Sequence, residues 1–72
     1  MGIEIFQKKL GKHISVIRKK SGFSQTELAL RIDKDRQWVN YLEKGKGNPT
    51  IKTLYLIAAE LKISLKDLLD FE

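Results

Sequence analysis

The sequence predicts an all-α protein, five short amphipathic helices folded into one compact domain. Three observations carry that expectation. Apolar residues recur three and four apart along most of the chain, the spacing of one helix face. Ser24, Asp35, Thr50 and Ser64 each stand just before such a run, where a side-chain oxygen can accept from the exposed amides of a first turn. No segment alternates apolar and polar residues as a half-buried strand does.

Residues 3–20 read as the first helix, with Phe6, Leu10, Ile14 and Ile17 on one stripe. Lys19 and Lys20 followed by Gly22 make a stop signal, cations in the last turn and then a residue free to take positive φ. Such a basic amphipathic helix can lie on a membrane. That is the weaker reading here, because the following helices need a partner for their own apolar faces. Ser24-Gln25-Thr26-Glu27 is a capping box, so a second helix begins near residue 25. Leu28, Ala29 and Ile32 face its core side, and Asp33-Lys34 breaks it. Asp35 caps a third helix over 36–43, which Gly45 ends, and Lys46-Gly47-Asn48-Pro49 is a loop. Thr50 opens a fourth helix over about 51–61, whose core face is expected to hold Ile51, Leu54, Ile57, Ala58 and Leu61. Ser64 caps a short fifth, with Leu65, Leu68 and Leu69 apolar.

The length of 72 residues suits one domain spanning residues 1–72. A domain of that size buries only about 60% of the surface its unfolded chain exposes. With no cysteine, disulfides and thiolate-ligated zinc are excluded. No apolar run approaches the ~20 residues that span a bilayer, and no signal peptide is expected at the N-terminus. The net charge of +5 is unevenly placed. Residues 1–46 carry eleven Lys/Arg against five Asp/Glu, and residues 47–72 carry three against four. A basic front is what a polyanion partner selects, though a merely solvated basic surface has the same charge.

The third helix narrows the choice. At about 100° per residue, Val39 and Leu42 define its buried side, with Trp38 and Glu43 bordering it. Gln37 and Lys44 lie almost opposite, Asn40 and Tyr41 flank them, and Arg36 stands at the edge. Ordinary solvated helix faces favour paired opposite charges, whereas this face carries no acid. Gln and Asn suit adenine edges and Arg suits guanine.

Two helices joined by a tight turn, with the small Ala29 between them, have the form of a helix-turn-helix. With Arg18, SQTELA (24–29), YLEKG (41–45), NPT (48–50) and LYLIAAEL, residues 10–69 resemble the Cro/C1-type (XRE-like) helix-turn-helix family of phage repressors and bacterial regulators. The resemblance implies a lambda-repressor-like fold with its helix-turn-helix at about 24–44. It implies double-stranded DNA as partner, with the third helix in the major groove. Arg36, Gln37, Asn40 and Tyr41 match base-facing positions. Ser24 and Gln25 match phosphate contacts at a helix N-terminus, Gln25 with its own amide and its side chain, and Lys44 and Lys46 match backbone contacts. Trp38 either packs on sugar-phosphate or covers the core. Arg18 and Glu43 match a structural ion pair.

The chain departs from the family pattern in the turn. Asp33 stands where glycine is usual, and Asp tolerates left-handed backbone better than most residues. Lys34 replaces an apolar residue, which leaves either a missing core contact or compensation by Ile32. Asp35 replaces the usual Ser or Thr.

Catalysis has little support in the sequence. The lone His13 reads as surface, and one histidine without cysteine makes a transition-metal site unlikely on ligand chemistry. Carboxylates are scattered, and Lys46-Gly47 lacks a preceding glycine-rich phosphate loop. The expectation is a cytoplasmic, bacterial or phage-encoded regulator, not an enzyme, without cofactor, membrane or small-molecule partner. As short members of the family do, it would bind a palindromic operator as a homodimer. Repression, or control of a restriction–modification system, is the implied role. Tyr55, Leu56, Ile63, Leu65, Leu69 and Phe71 on the near-neutral back are the expected dimer contacts, unless the core claims them. The alternative is an antitoxin-like protein-interaction module with secondary DNA binding.

Overall fold

The computed structural model describes residues 2–71; the expected domain limits at residues 1 and 72 lie outside them. Five helices follow one another: α1 (Ile3–Lys20), α2 (Gln25–Arg31), α3 (Arg36–Glu43), α4 (Ile51–Glu60) and α5 (Leu65–Leu68). The described residues contain no strand.

Each helix starts and stops for local reasons. α1 buries Leu10, Gly11, Ile14 and Arg18 and ends in Arg18, Lys19 and Lys20. Gly22 follows at φ +83°, a conformation that costs glycine little. At α2 the capping box is closed both ways. Ser24 Oγ accepts from the Glu27 amide, and the Ser24 amide donates to Glu27 Oε1, each at 3.0 Å. Asp35 Oδ1 caps α3 by accepting from the Trp38 amide at 2.8 Å. Thr50 and Ser64 cap α4 and α5 in the same manner.

The core gathers one stripe from every helix. Ile14, Leu28, Val39, Leu42, Ile57 and Leu68 are fully enclosed, and Phe6, Ile17, Phe23, Trp38, Ile63, Leu65 and Phe71 pack half-buried around them. α1 and α3 meet backbone to backbone at Gly11, where an added Cβ would lie 2.2 Å from the Leu42 carbonyl oxygen. That contact fixes how closely the two helices approach.

Two expectations need correction. Ile51 does not join the core face of α4; it is 76% exposed. It is the first residue of that helix, so no preceding turn closes over it. α4 is rolled instead toward Thr53, which is buried with its hydroxyl 3.0 Å from that of Thr50. His13 is not simple surface either. It is half-buried, with Nε2 donating to the Asp67 carbonyl at 3.0 Å. Its ring centroid lies 5.6 Å from that of Phe71, the planes tilted by 47°, and Phe71 in turn sits 5.2 Å from Phe6.

Candidate nucleic-acid interface

The site is built on α2, the turn and α3. Leu28 and Ala29 seat α2 in the core. The turn then closes through Asp33 at φ +59° and the Lys34 amide, which donates to the Ala29 carbonyl at 2.8 Å. Asp33 thus takes the left-handed position, a tolerated one for aspartate. Ile32 fills the core beside the turn. Lys34 stays outside, its ammonium 5.2 Å over the Trp38 ring.

Val39 and Leu42 anchor α3. A buried charge pair braces it to α1. Arg18 Nε donates to Glu43 Oε2 at 2.6 Å and Nη2 to Oε1 at 3.0 Å, with the two side chains 8% and 6% exposed. Arg18 Nη1 also donates to the Phe23 carbonyl at 2.7 Å. Every charge in the pair is hydrogen-bonded, the condition under which buried ions are tolerated. Gln7 adds a second tie from α1, donating to the Gly47 carbonyl at 2.9 Å. Sequence reasoning missed that bond, because a glutamine on a helix face carries no signal of its partner 40 residues away.

With one face fixed, the other is presented. Arg36, Gln37, Tyr41 and Lys44 are exposed, and Asn40 is half-exposed. Gln37 is a ridge between two open recesses. One is lined by Asp35, Trp38, Tyr41 and Gly47, the other by Asp35, Arg36, Asn40 and Lys44. Lys46 lies 5.8 Å over the Tyr41 ring. Trp38 is half-buried against the core, so it covers the core and offers one edge outward.

At the start of α2, Ser24 Oγ accepts from the Glu27 amide. The Gln25 side chain turns inward. Its Nε2 donates to Glu43 Oε1 at 3.0 Å and its Oε1 accepts from Asn40 Nδ2 at 3.4 Å. Its backbone amide stands in the first turn, where a helix offers no internal acceptor. Glu27 is held below its ordinary pKa. The Ser24 amide bond is the main cause, then the Ser24 hydroxyl, with Arg31 adding a smaller pull against slight desolvation.

Tyr55, Leu56 and Leu69 are exposed, whereas Ile63, Leu65 and Phe71 are half-buried against the core. Among the described residues no group of three His, Cys, Asp or Glu is placed to hold a metal.

Comparison with known proteins gives concordant results. A helix-turn-helix family model matches residues 14–68. Control protein C.BamHI of Bacillus amyloliquefaciens is 36% identical over 62 residues, 85% of this chain and 76% of that protein. The crystal structure of the restriction–modification controller protein C.AhdI from Aeromonas hydrophila superposes with a TM-score of 0.88 at 26% identity, covering 94% of this chain and 99% of that one. SinR, a master regulator for biofilm formation solved in complex with DNA, superposes with a TM-score of 0.78 at 32% identity, over 85% of this chain and 98% of that one.

Proposed function

Because the chain belongs to the helix-turn-helix family and is a DNA-binding regulator of transcription, we propose that it reads a palindromic operator as a twofold dimer. The observation that carries this reading is the outward face of α3. Arg36, Gln37, Asn40 and Tyr41 stand together there, with Asp35 the acid beside them and held as the α3 cap, on a helix braced from behind by Arg18–Glu43. These four read base edges. Lys44, Lys46, the hydroxyl of Ser24, the amide of Gln25 and the edge of Trp38 hold the backbone. The positive helix end at Gln25 favours a phosphate.

The dimer forms through the back, with Tyr55, Leu56 and Leu69 making the contact and Ile63, Leu65 and Phe71 supporting it. Ile51 extends the same apolar face of α4. Half-sites of such dimers lie about 34 Å apart. Control comes from occupancy of the operator, as a repressor or controller, and so from concentration and dimerisation. The protein acts in the cytoplasm without cofactor or small-molecule ligand and is not an enzyme. No helix among the described residues is long and apolar enough to cross a membrane.

Selection of bound duplexes from a random pool, repeated across salt, tests this. Enrichment of a twofold palindrome is the expected result. Unselective, steeply salt-dependent binding would reduce the site to a basic patch. No binding at moderate salt would favour the antitoxin-like interaction module instead.

A further inference from the structure

We propose that Gln25 is a positioning residue that sets which way the Asn40 amide faces, and through it one base preference. The proposal rests on the reading of α3 as the base-reading helix. Its basis is a chain of four side chains running from the buried ion pair to the outer face of α3.

The chain has only one consistent polarity. Glu43 faces the Arg18 guanidinium across two hydrogen bonds, so it is a carboxylate and can only accept. The group that Gln25 turns to Glu43 must therefore be its Nε2, and it lies 3.0 Å from Oε1. The Gln25 carbonyl oxygen is then left facing α3. Asn40 meets it with Nδ2 at 3.4 Å, a long bond that nonetheless has just one workable sense. If the Asn40 amide flipped, two carbonyl oxygens would face each other.

The consequence lies at the surface. One Nδ2 hydrogen of Asn40 is turned back toward Gln25, which leaves Oδ1 and the second hydrogen outside that bond and available to a base edge. That is an acceptor beside a donor in a fixed order. Adenine offers a matching N6–H donor and N7 acceptor in the major groove. In the reverse order, donor would meet donor and acceptor would meet acceptor. Arg18 and Glu43, which touch no base, thus reach base selection through Gln25.

A phosphate contact by Gln25 and this relay differ in what they do to sequence preference. Loss of a phosphate contact weakens every duplex alike. The relay acts at a single base pair, identified as the one whose preference is lost in Asn40→Ala. With duplexes varied singly around the selected operator, Gln25→Leu is expected to lower discrimination at that pair roughly fivefold to tenfold, part of what a bidentate contact confers. In the Asn40→Ala background the same change is expected to leave that discrimination untouched. In the free protein, the NMR shift separation of the two Asn40 Nδ2 protons should depart from that of an unbonded asparagine amide and return to it in Gln25→Leu. That spectrum also reports whether the variant is folded. Should Gln25→Leu not fold, Gln25→Ala, which removes both bonds of the relay and sets no charge beside Glu43, takes its place in both measurements. An equal loss on all duplexes, with preference at the Asn40 pair and the amide spectrum unchanged, would overturn the relay while base reading stands. Failure of the wild type to select any sequence would overturn base reading and this role together.

Discussion

α3 and α4 each begin at a side-chain cap, Asp35 accepting from the Trp38 amide and Thr50 from the Thr53 amide. Each gives one stripe to the same core. What they leave outside differs. α3 presents Arg36, Gln37, Tyr41 and Lys44. α4 presents Ile51, Tyr55, Leu56 and Ala59, interrupted only by Lys52. The first set is content in water and suits a polar groove. The second leaves apolar carbon in water, which burial against another surface relieves. Their bracing differs too. α3 is tied to α1 by a buried, hydrogen-bonded charge pair, while the contacts of α4 with the core are mainly apolar. A helix that must present side chains in register to a rigid duplex benefits from a directional tie.

The bracing of α3 is where the comparison breaks most severely. Glu43→Ala leaves the Arg18 guanidinium buried and unpaired, a change that typically costs about 3–5 kcal/mol. Urea denaturation should show that loss. A loss under 1 kcal/mol would mean that Arg18 finds water and that the pair does little to fix α3.

The outward face of α4 is tested next. Tyr55→Asp puts a charge into the proposed contact while disturbing little of the fold, since Tyr55 is 62% exposed. Sedimentation equilibrium should show the dimer weakened at least tenfold, on the scale of roughly 2 kcal/mol for a central interface residue. An unchanged mass distribution would move the interface off α4.

On α3 a pair of substitutions separates reading from holding. Gln37→Ala is expected to cost about 1–3 kcal/mol at one base pair and relax the preference there. Lys44→Ala should weaken all duplexes alike and reduce the salt slope by about one. If both variants behaved as Lys44→Ala is expected to, the face of α3 would be no more selective than a patch of charge.

The helices were legible because their signals are local. Ser24 with Glu27, Asp35 before α3 and Gly22 after α1 each act within a turn or so of themselves, so spacing alone locates them. Ile51 was misread for a related reason. Periodicity assigns a residue to a face but does not say whether anything covers that face at the first turn. Thr53 was overlooked because a hydroxyl scores as polar until its partner, here the Thr50 hydroxyl, is in place. The outward character of α3 follows from its helical wheel. The inward turn of Gln25 does not, because Gln25, Asn40 and Glu43 come together only after two helices have packed. The tie between His13 and Asp67 spans 54 residues and leaves no trace in the spacing.

The smallest expected effect concerns the cap that holds the start of α2, where a phosphate is proposed to rest. Glu27 is held below its ordinary pKa chiefly by the Ser24 amide. Its folded-state value is depressed, so its contribution to stability is present above the unfolded value and is lost as pH falls through the folded one. The window therefore lies below the usual glutamate range. Glu27→Gln keeps an acceptor for the Ser24 amide but cannot titrate. The difference in stability between wild type and Glu27→Gln should be constant near neutrality and shrink on acidification through that window. Taking the difference cancels the other carboxylates, which titrate in both proteins. Glu27 lies at the surface, so high salt should reduce only the small part due to Arg31 and leave the share due to the Ser24 bonds. A difference that stayed flat to the lowest pH at which both proteins fold would mean that the carboxylate gains nothing from the box. The start of α2 would then rest on the Ser24 hydroxyl alone.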